Sequence, residues 1–142
     1  MGAIADLFAA KEAEVSETIV SGGPREHLAT VEGNYFDPVS LYACVMGVAE
    51  EQASVAMRTH WLQARNADGC LVLQLPTCVR DAVAAASDQA LMSIRLAFLG
   101  TTEAEMRQDP LFGTIPDWFD EVRKLSQDAS ATGRELYLWM CP

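Results

Sequence analysis

A helix-rich α+β single domain with a small, mainly antiparallel sheet is the fold class that three observations predict. Apolar residues at helical spacing fill most of the chain. A turn-punctuated apolar segment at about 58–75 reads as a β-hairpin. A last apolar run at about 134–140 follows a glycine and reads as a strand. The order, helices then hairpin then helices then strand, is not the strand–helix alternation of a parallel α/β fold. With 142 residues, half of them apolar and 21% charged, the chain fits one globular domain spanning 1–142. A domain of this length buries roughly 68–70% of the surface its unfolded chain exposes. It therefore needs no metal or disulfide to hold its core.

From Ala3 to about Glu17, the positions of Ile4, Leu7, Phe8 and Val15 suggest a surface helix with one buried stripe. Ser21-Gly22-Gly23-Pro24 breaks it. His27–Glu32 could form a short strand, and Gly33-Asn34 marks a turn. Asp37-Pro38 is an N-cap followed by proline at the first helical position. Leu41, Tyr42, Val45, Val48, Ala49 and Ala56 continue at helical spacing, and Gly47 marks either close packing or a break. Trp61-Leu62-Gln63-Ala64, the turn former Asn66-Ala67-Asp68-Gly69 and Cys70–Leu75 make the hairpin. Continuation of the preceding helix through Trp61 is the alternative.

Pro76 or Thr77 opens the next helix, with Val79, Val83, Ala86, Ala90, Leu91, Ile94 and Phe98 as its stripe and a joint at Ser87-Asp88, where Ser87 is a new N-cap. Gly100 ends the run. Thr102 and Glu105 have the spacing of a capping box around a short helix. Pro116 and Asp117 start the last helix, whose apolar face is Ile115, Phe119, Val122, Leu125 and Ala129. Gly133 is its stop. In the final strand Leu136, Leu138 and Met140 share one face, and Tyr137 and Trp139 share the other. The strand is too apolar for an exposed edge, so it should insert beside Leu71–Leu75.

Ten Lys and Arg stand against twenty Asp and Glu, a net charge of −10. Phosphate backbones and anionic membranes repel such a surface, which argues against nucleic-acid and membrane partners. No apolar run approaches about 18 residues, so no transmembrane helix is expected. The first residues lack the basic start of a signal peptide. A cytoplasmic location follows as an expectation, with Cys44, Cys70, Cys78 and Cys141 as thiols in a reducing compartment. Cys70 and Cys141 would be neighbours if their strands pair, and could then oxidise on extraction.

Chemical motifs are sparse. Cys78, where a strand gives way to a helix N-terminus, is placed to have a lowered thiol pKa. A phosphatase-like loop would need arginine at position 84, where alanine stands. Cys-x-x-Cys and His-x-x-x-His spacings are absent, and the possible convergence of His60, Cys70 and Cys78 matches no standard zinc pattern. The carboxylates Glu50-Glu51, Glu103, Glu105 and the Asp117, Asp120, Glu121 group each have an ordinary place as a solvated helix face or a cap. No phosphate loop and no nucleophile elbow appears. The sequence thus names no catalytic, cofactor or metal residue. Its candidates for binding a protein partner are Tyr137, Trp139, Trp118, Asp117, Asp120 and Glu121. Trp and Tyr are enriched at interfaces, although they serve equally well in cores.

The C-terminal half, with Leu73-Gln74-Leu75-Pro76, an Ala-rich helix, Ser87-Asp88, an amphipathic helix and Gly133-Arg134-Glu135-Leu136-Tyr137-Leu138-Trp139, resembles a loose group of small uncharacterised bacterial proteins. These end in a helix, a Gly and a Leu-Tyr-x-Trp-type strand. No catalytic residue carries over from that resemblance. Small acidic bacterial proteins of this sort include immunity proteins that neutralise toxins. The resulting expectation is a non-enzymatic, immunity- or inhibitor-like domain that presents an acidic surface to a basic toxin or effector. The alternatives are a small-molecule-binding protein or enzyme with a pocket near Cys78 and His60, and a structural subunit that self-associates through the final strand's edge.

Overall fold

The structure, a computed structural model, describes residues 4–33, 37–58, 62–100 and 115–142. Its centre is a five-stranded antiparallel sheet. The strands are β1 (Ile4–Ala10), β2 (Thr30–Val31), β3 (Leu62–Arg65), β4 (Leu71–Gln74) and β5 (Glu135–Cys141), in the order β2-β1-β5-β4-β3. Among the described residues the helices are α1 (Glu17–Gly22), α2 (Pro38–Met46), α3 (Glu50–Arg58), α4 (Thr77–Ala85), α5 (Asp88–Leu99) and α6 (Ile115–Thr132), with a 3₁₀ turn at Glu12–Glu14. The α+β class, the hairpin and the C-terminal strand stand as the sequence indicates.

The first element does not. Ile4–Ala10 is a strand, paired along its whole length with β5 from Ile4↔Cys141 to Ala10↔Glu135. Ala5 to Ala10 are all buried, so β1 lies between two apolar layers. A strand covered on both faces reads as a continuous apolar run without period-2 alternation. The spacing of Ile4, Leu7 and Phe8 then imitates a helix. Within the expected helical span, Ala3 to about Glu17, only the 3₁₀ turn Glu12–Glu14 is helical, and α1 (Glu17–Gly22), which Gly23 caps at φ 84°, begins where that helix was expected to end.

Placing β1 beside β5 changes the sheet as a whole. β5 is its central strand, with β1 on one side and β4 on the other through Leu71↔Met140 and Leu73↔Leu138. Both its hydrogen-bonding edges are filled, which removes the edge expected to drive self-association. The expected strand at 27–32 shrinks to Thr30–Val31 on the outer side of β1.

Capping explains the helix boundaries. The Asp37 side chain accepts from the Val39 N–H at 2.9 Å, with Pro38 in the first helical turn. Gly47, left-handed at φ 66°, ends α2 and splits the long apolar pattern from α3. Ser87 Oγ accepts from the Ala90 N–H at 3.1 Å and starts α5. In the hairpin loop, Asn66 Oδ1 accepts from the N–H groups of Asp68 and Cys70 at 3.0 and 2.9 Å. α3 ends at Arg58 and Leu62 is already strand, which decides for the hairpin over a longer helix. The expected capping box at Thr102 and Glu105 lies outside the described residues.

Two apolar layers result. On one face Leu7, Leu73, Leu136 and Leu138 meet Leu41, Val83, Leu91, Phe98, Phe119, Val122 and Leu125 of the helices. On the other, Phe8, Val72, Tyr137 and Trp139 meet Ile19 and Val20 of α1, with Val15 and Leu28 at the margin. The sheet is therefore covered on both faces.

Candidate functional site

The alternation of β5 is as the sequence implies, but its consequence is different. Tyr137 is 1% exposed and Trp139 is 7% exposed, so these two partner-binding candidates take the core place instead and present no open surface. The Trp139 Nε1–H donates to the Val20 carbonyl at 2.9 Å. Its ring lies where a Cβ on Gly23 would come within 3.2 Å. Tyr137 stacks on Phe8 with ring centroids 5.5 Å apart, and burial pushes its phenol pKa up. A sheet with two apolar faces must cover both, and the segment that does so is residues 11–32.

Trp118 is half-buried at the start of α6. Its ring packs edge-on to Phe119 at 4.9 Å and stacks on Phe98 at 6.2 Å. It serves the helix core more than the surface. Asp120 is exposed and lies 3.7 Å from an Arg123 guanidinium nitrogen, and Glu121 is exposed beside it. Asp117 belongs to α6, but its side chain lies outside the described residues. The structure thus separates the six candidates. Tyr137 and Trp139 lie in the core on one face of the sheet, and the α6 group lies on the other.

One charged residue has a role that the sequence does not assign. Asp6, within the apolar run of β1, is fully buried. It accepts a two-point contact from Arg25, Nε to Oδ2 at 2.8 Å and Nη2 to Oδ1 at 3.1 Å, and a third bond from the Gly33 N–H at 3.2 Å. The hydrogen bond to Asp6 raises the Arg25 pKa further. A carboxylate on the Phe8 face of a doubly covered strand needs such partners. The pair fastens segment 11–32 to the sheet. Glu14 adds a second tie, since its carboxylate accepts from the Lys11 N–H at 2.8 Å and from Arg134 at 3.2 Å. The Lys11 hydrogen bond and then the Arg134 charge pull its pKa down against the opposing effect of burial.

The outer side of that segment is acidic. Residues 11–32 contain Glu12, Glu14, Glu17, Glu26 and Glu32 against Lys11 and Arg25. Glu12, Glu17 and Glu26 are exposed and make no ion pair among the described residues. The sequence does not show this patch, because Glu12, Glu14 and Glu17 read as a polar helix face while Glu26 and Glu32 fall beyond its break at Ser21–Pro24.

Cys78 sits at the start of α4, exposed, next to Tyr42. Burial first, and then the neighbouring Cys78 thiol, raise the Tyr42 phenol pKa. His60, the other residue of the expected pocket, lies outside the described residues. Cys70 and Cys141 face each other across β4 and β5 with Cα atoms 4.1 Å apart, and the structure joins them in a disulfide. Cys44 and Cys78 are outside that disulfide, so two thiols stand where four were expected. Among the described residues no group of His, Cys, Asp and Glu is arranged to hold a metal ion, and no helix is long and apolar enough to cross a membrane. The chain matches no family model, no curated protein and no solved structure.

Proposed function

We propose that this domain binds a basic protein partner through an acidic surface, as immunity or inhibitor proteins do, and that segment 11–32 carries the main part of that surface. The observation that supports the reading is how the charges are distributed. Arg25, Arg80, Arg123 and Arg134 are all taken up by carboxylates of the chain itself. Glu12, Glu17 and Glu26 face solvent and pair with no cation among the described residues. Unpaired carboxylates on one layer steer a cationic partner and disfavour anionic ones. Asp120 is partly neutralised by Arg123, so at the start of α6 Glu121 is the stronger contributor. The reading places the protein in the cytoplasm, where a reducing pool would hold Cys70 and Cys141 as thiols.

The test is capture from a lysate of the source cell, at low salt and at about 0.5 M salt, where screening shortens charge interactions to a few ångströms. One stoichiometric basic protein should be retained at low salt and weakened at high salt. The triple variant Glu12→Lys, Glu17→Lys, Glu26→Lys should lose it, whereas Asp68→Lys on the hairpin loop should not. Recovery of no stoichiometric partner would sink the reading. So would a partner whose capture ignores both the salt and the triple reversal.

A further inference from the structure

α5 and α6 leave an open groove between them of about 820 Å³, within the usual size range for a small-ligand site. Its character is opposite to that of the molecule. Arg95, Arg123 and Lys124, three of the ten basic residues in a chain of net charge −10, line it. Asp88 and Asp120 are also there, but both face Arg123, at 2.8 and 3.7 Å. Arg123 further donates to the Ala86 carbonyl at 3.3 Å, so its donors are spent on holding α4, α5 and α6 together.

Arg95 and Lys124 are not spent in this way. Neither makes an ion pair with any described carboxylate. Arg95 as a residue is half-buried, and among the described residues its guanidinium makes one hydrogen-bond contact, on the solvent side, with the Met92 sulfur at 2.8 Å. A thioether is a weak acceptor, so a planar fork of donors is left without a matching anion. Leu91 and Met92 give the groove an apolar wall, and Met92 is 46% exposed. A guanidinium fork, an ammonium and an apolar wall in one groove fit a small organic anion with a carboxylate or phosphate head and an apolar body.

We infer that the α5–α6 groove is a binding site for a small organic anion, with Arg95 taking the anionic head, Lys124 adding a second charge, and Met92 with Leu91 taking the apolar body. The site lies on the helical side of the sheet, away from segment 11–32, and is independent of the protein-binding reading.

The test uses 2-naphthoate as the probe on the whole protein, followed by NMR at the Arg95 side-chain N–H and the Met92 methyl. Inorganic phosphate (head alone) and 2-naphthalenemethanol (body alone) are the comparisons. 2-Naphthoate should shift both signals saturably and more tightly than either comparison compound. Arg95→Gln should weaken it about tenfold, the loss of one charge-assisted contact, and Lys124→Gln should weaken it less. Arg65→Gln, on β3, should leave it unchanged. Both surface variants should retain the wild-type spectrum outside the groove, which separates lost binding from lost folding. Absence of saturable shifts would overturn the inference. So would equal binding of the uncharged alcohol, or an Arg95→Gln variant that binds like the wild type.

Discussion

Asp6 and Arg25 are unequal partners. The Asp6 carboxylate is fully enclosed, whereas the Arg25 side chain is 45% exposed. Losing the arginine strands a buried charge with only the Gly33 N–H for company. Losing the charge on Asp6 leaves a guanidinium that can turn to water. Arg25→Met should therefore destabilise the fold by about 3 kcal/mol, and Asp6→Asn, which still accepts from Gly33, by about 1–2 kcal/mol. Urea unfolding of the two variants checks this, and equal losses or the reverse order would contradict the account. At this scale the sequence offered a clue, a charge in the middle of an apolar run, but no partner. Arg25 lies nineteen residues away along the chain, and only the return of the segment over the sheet brings the two together.

Among the elements, two glycines with positive φ stand in contrasting surroundings. Gly47, at φ 66° and ψ 37°, caps α2, and a Cβ there would meet nothing within 4 Å. Gly23, at φ 84° and ψ 168°, occupies a region that is nearly closed to other residues. Its Cβ would also press on the Trp139 ring at 3.2 Å. Gly47→Ala should cost about 1 kcal/mol. Gly23→Ala should cost about 2–3 kcal/mol and should also perturb the Trp139 fluorescence. Thermal and urea unfolding would reveal the difference, and a Gly23→Ala variant as stable as Gly47→Ala would show that α1 can reseat without loss. The breaks at both glycines were readable in the sequence, as were the caps at Asp37 and Ser87, because capping is local chemistry. β1 was not readable, because its identity as a strand depends on being covered from both sides.

At the scale of the whole molecule, β5 is the element on which the others converge. It pairs with β1 and β4, fills both core layers and carries Cys141 opposite Cys70. A crosslink between residues 71 positions apart constrains the unfolded chain considerably. The oxidised protein should be about 2–4 kcal/mol more stable than the Cys70→Ser, Cys141→Ser double variant. Mass spectrometry of the unfolded protein should find two alkylatable thiols before reduction and four after it. Four reactive thiols in the air-oxidised protein would contradict the pairing. The sequence by itself determined the α+β class, the hairpin, the late helices with their caps and the two faces of β5, since these rest on periodicity and on chemistry within a few residues. Only the tertiary structure decided that the first segment is a strand, that β5 is central, that Tyr137 and Trp139 are covered, and which carboxylates pair with an arginine of the chain itself. Each of those outcomes depends on contacts between residues far apart in the chain, where burial on a second face or capture by a distant arginine overrides the local pattern.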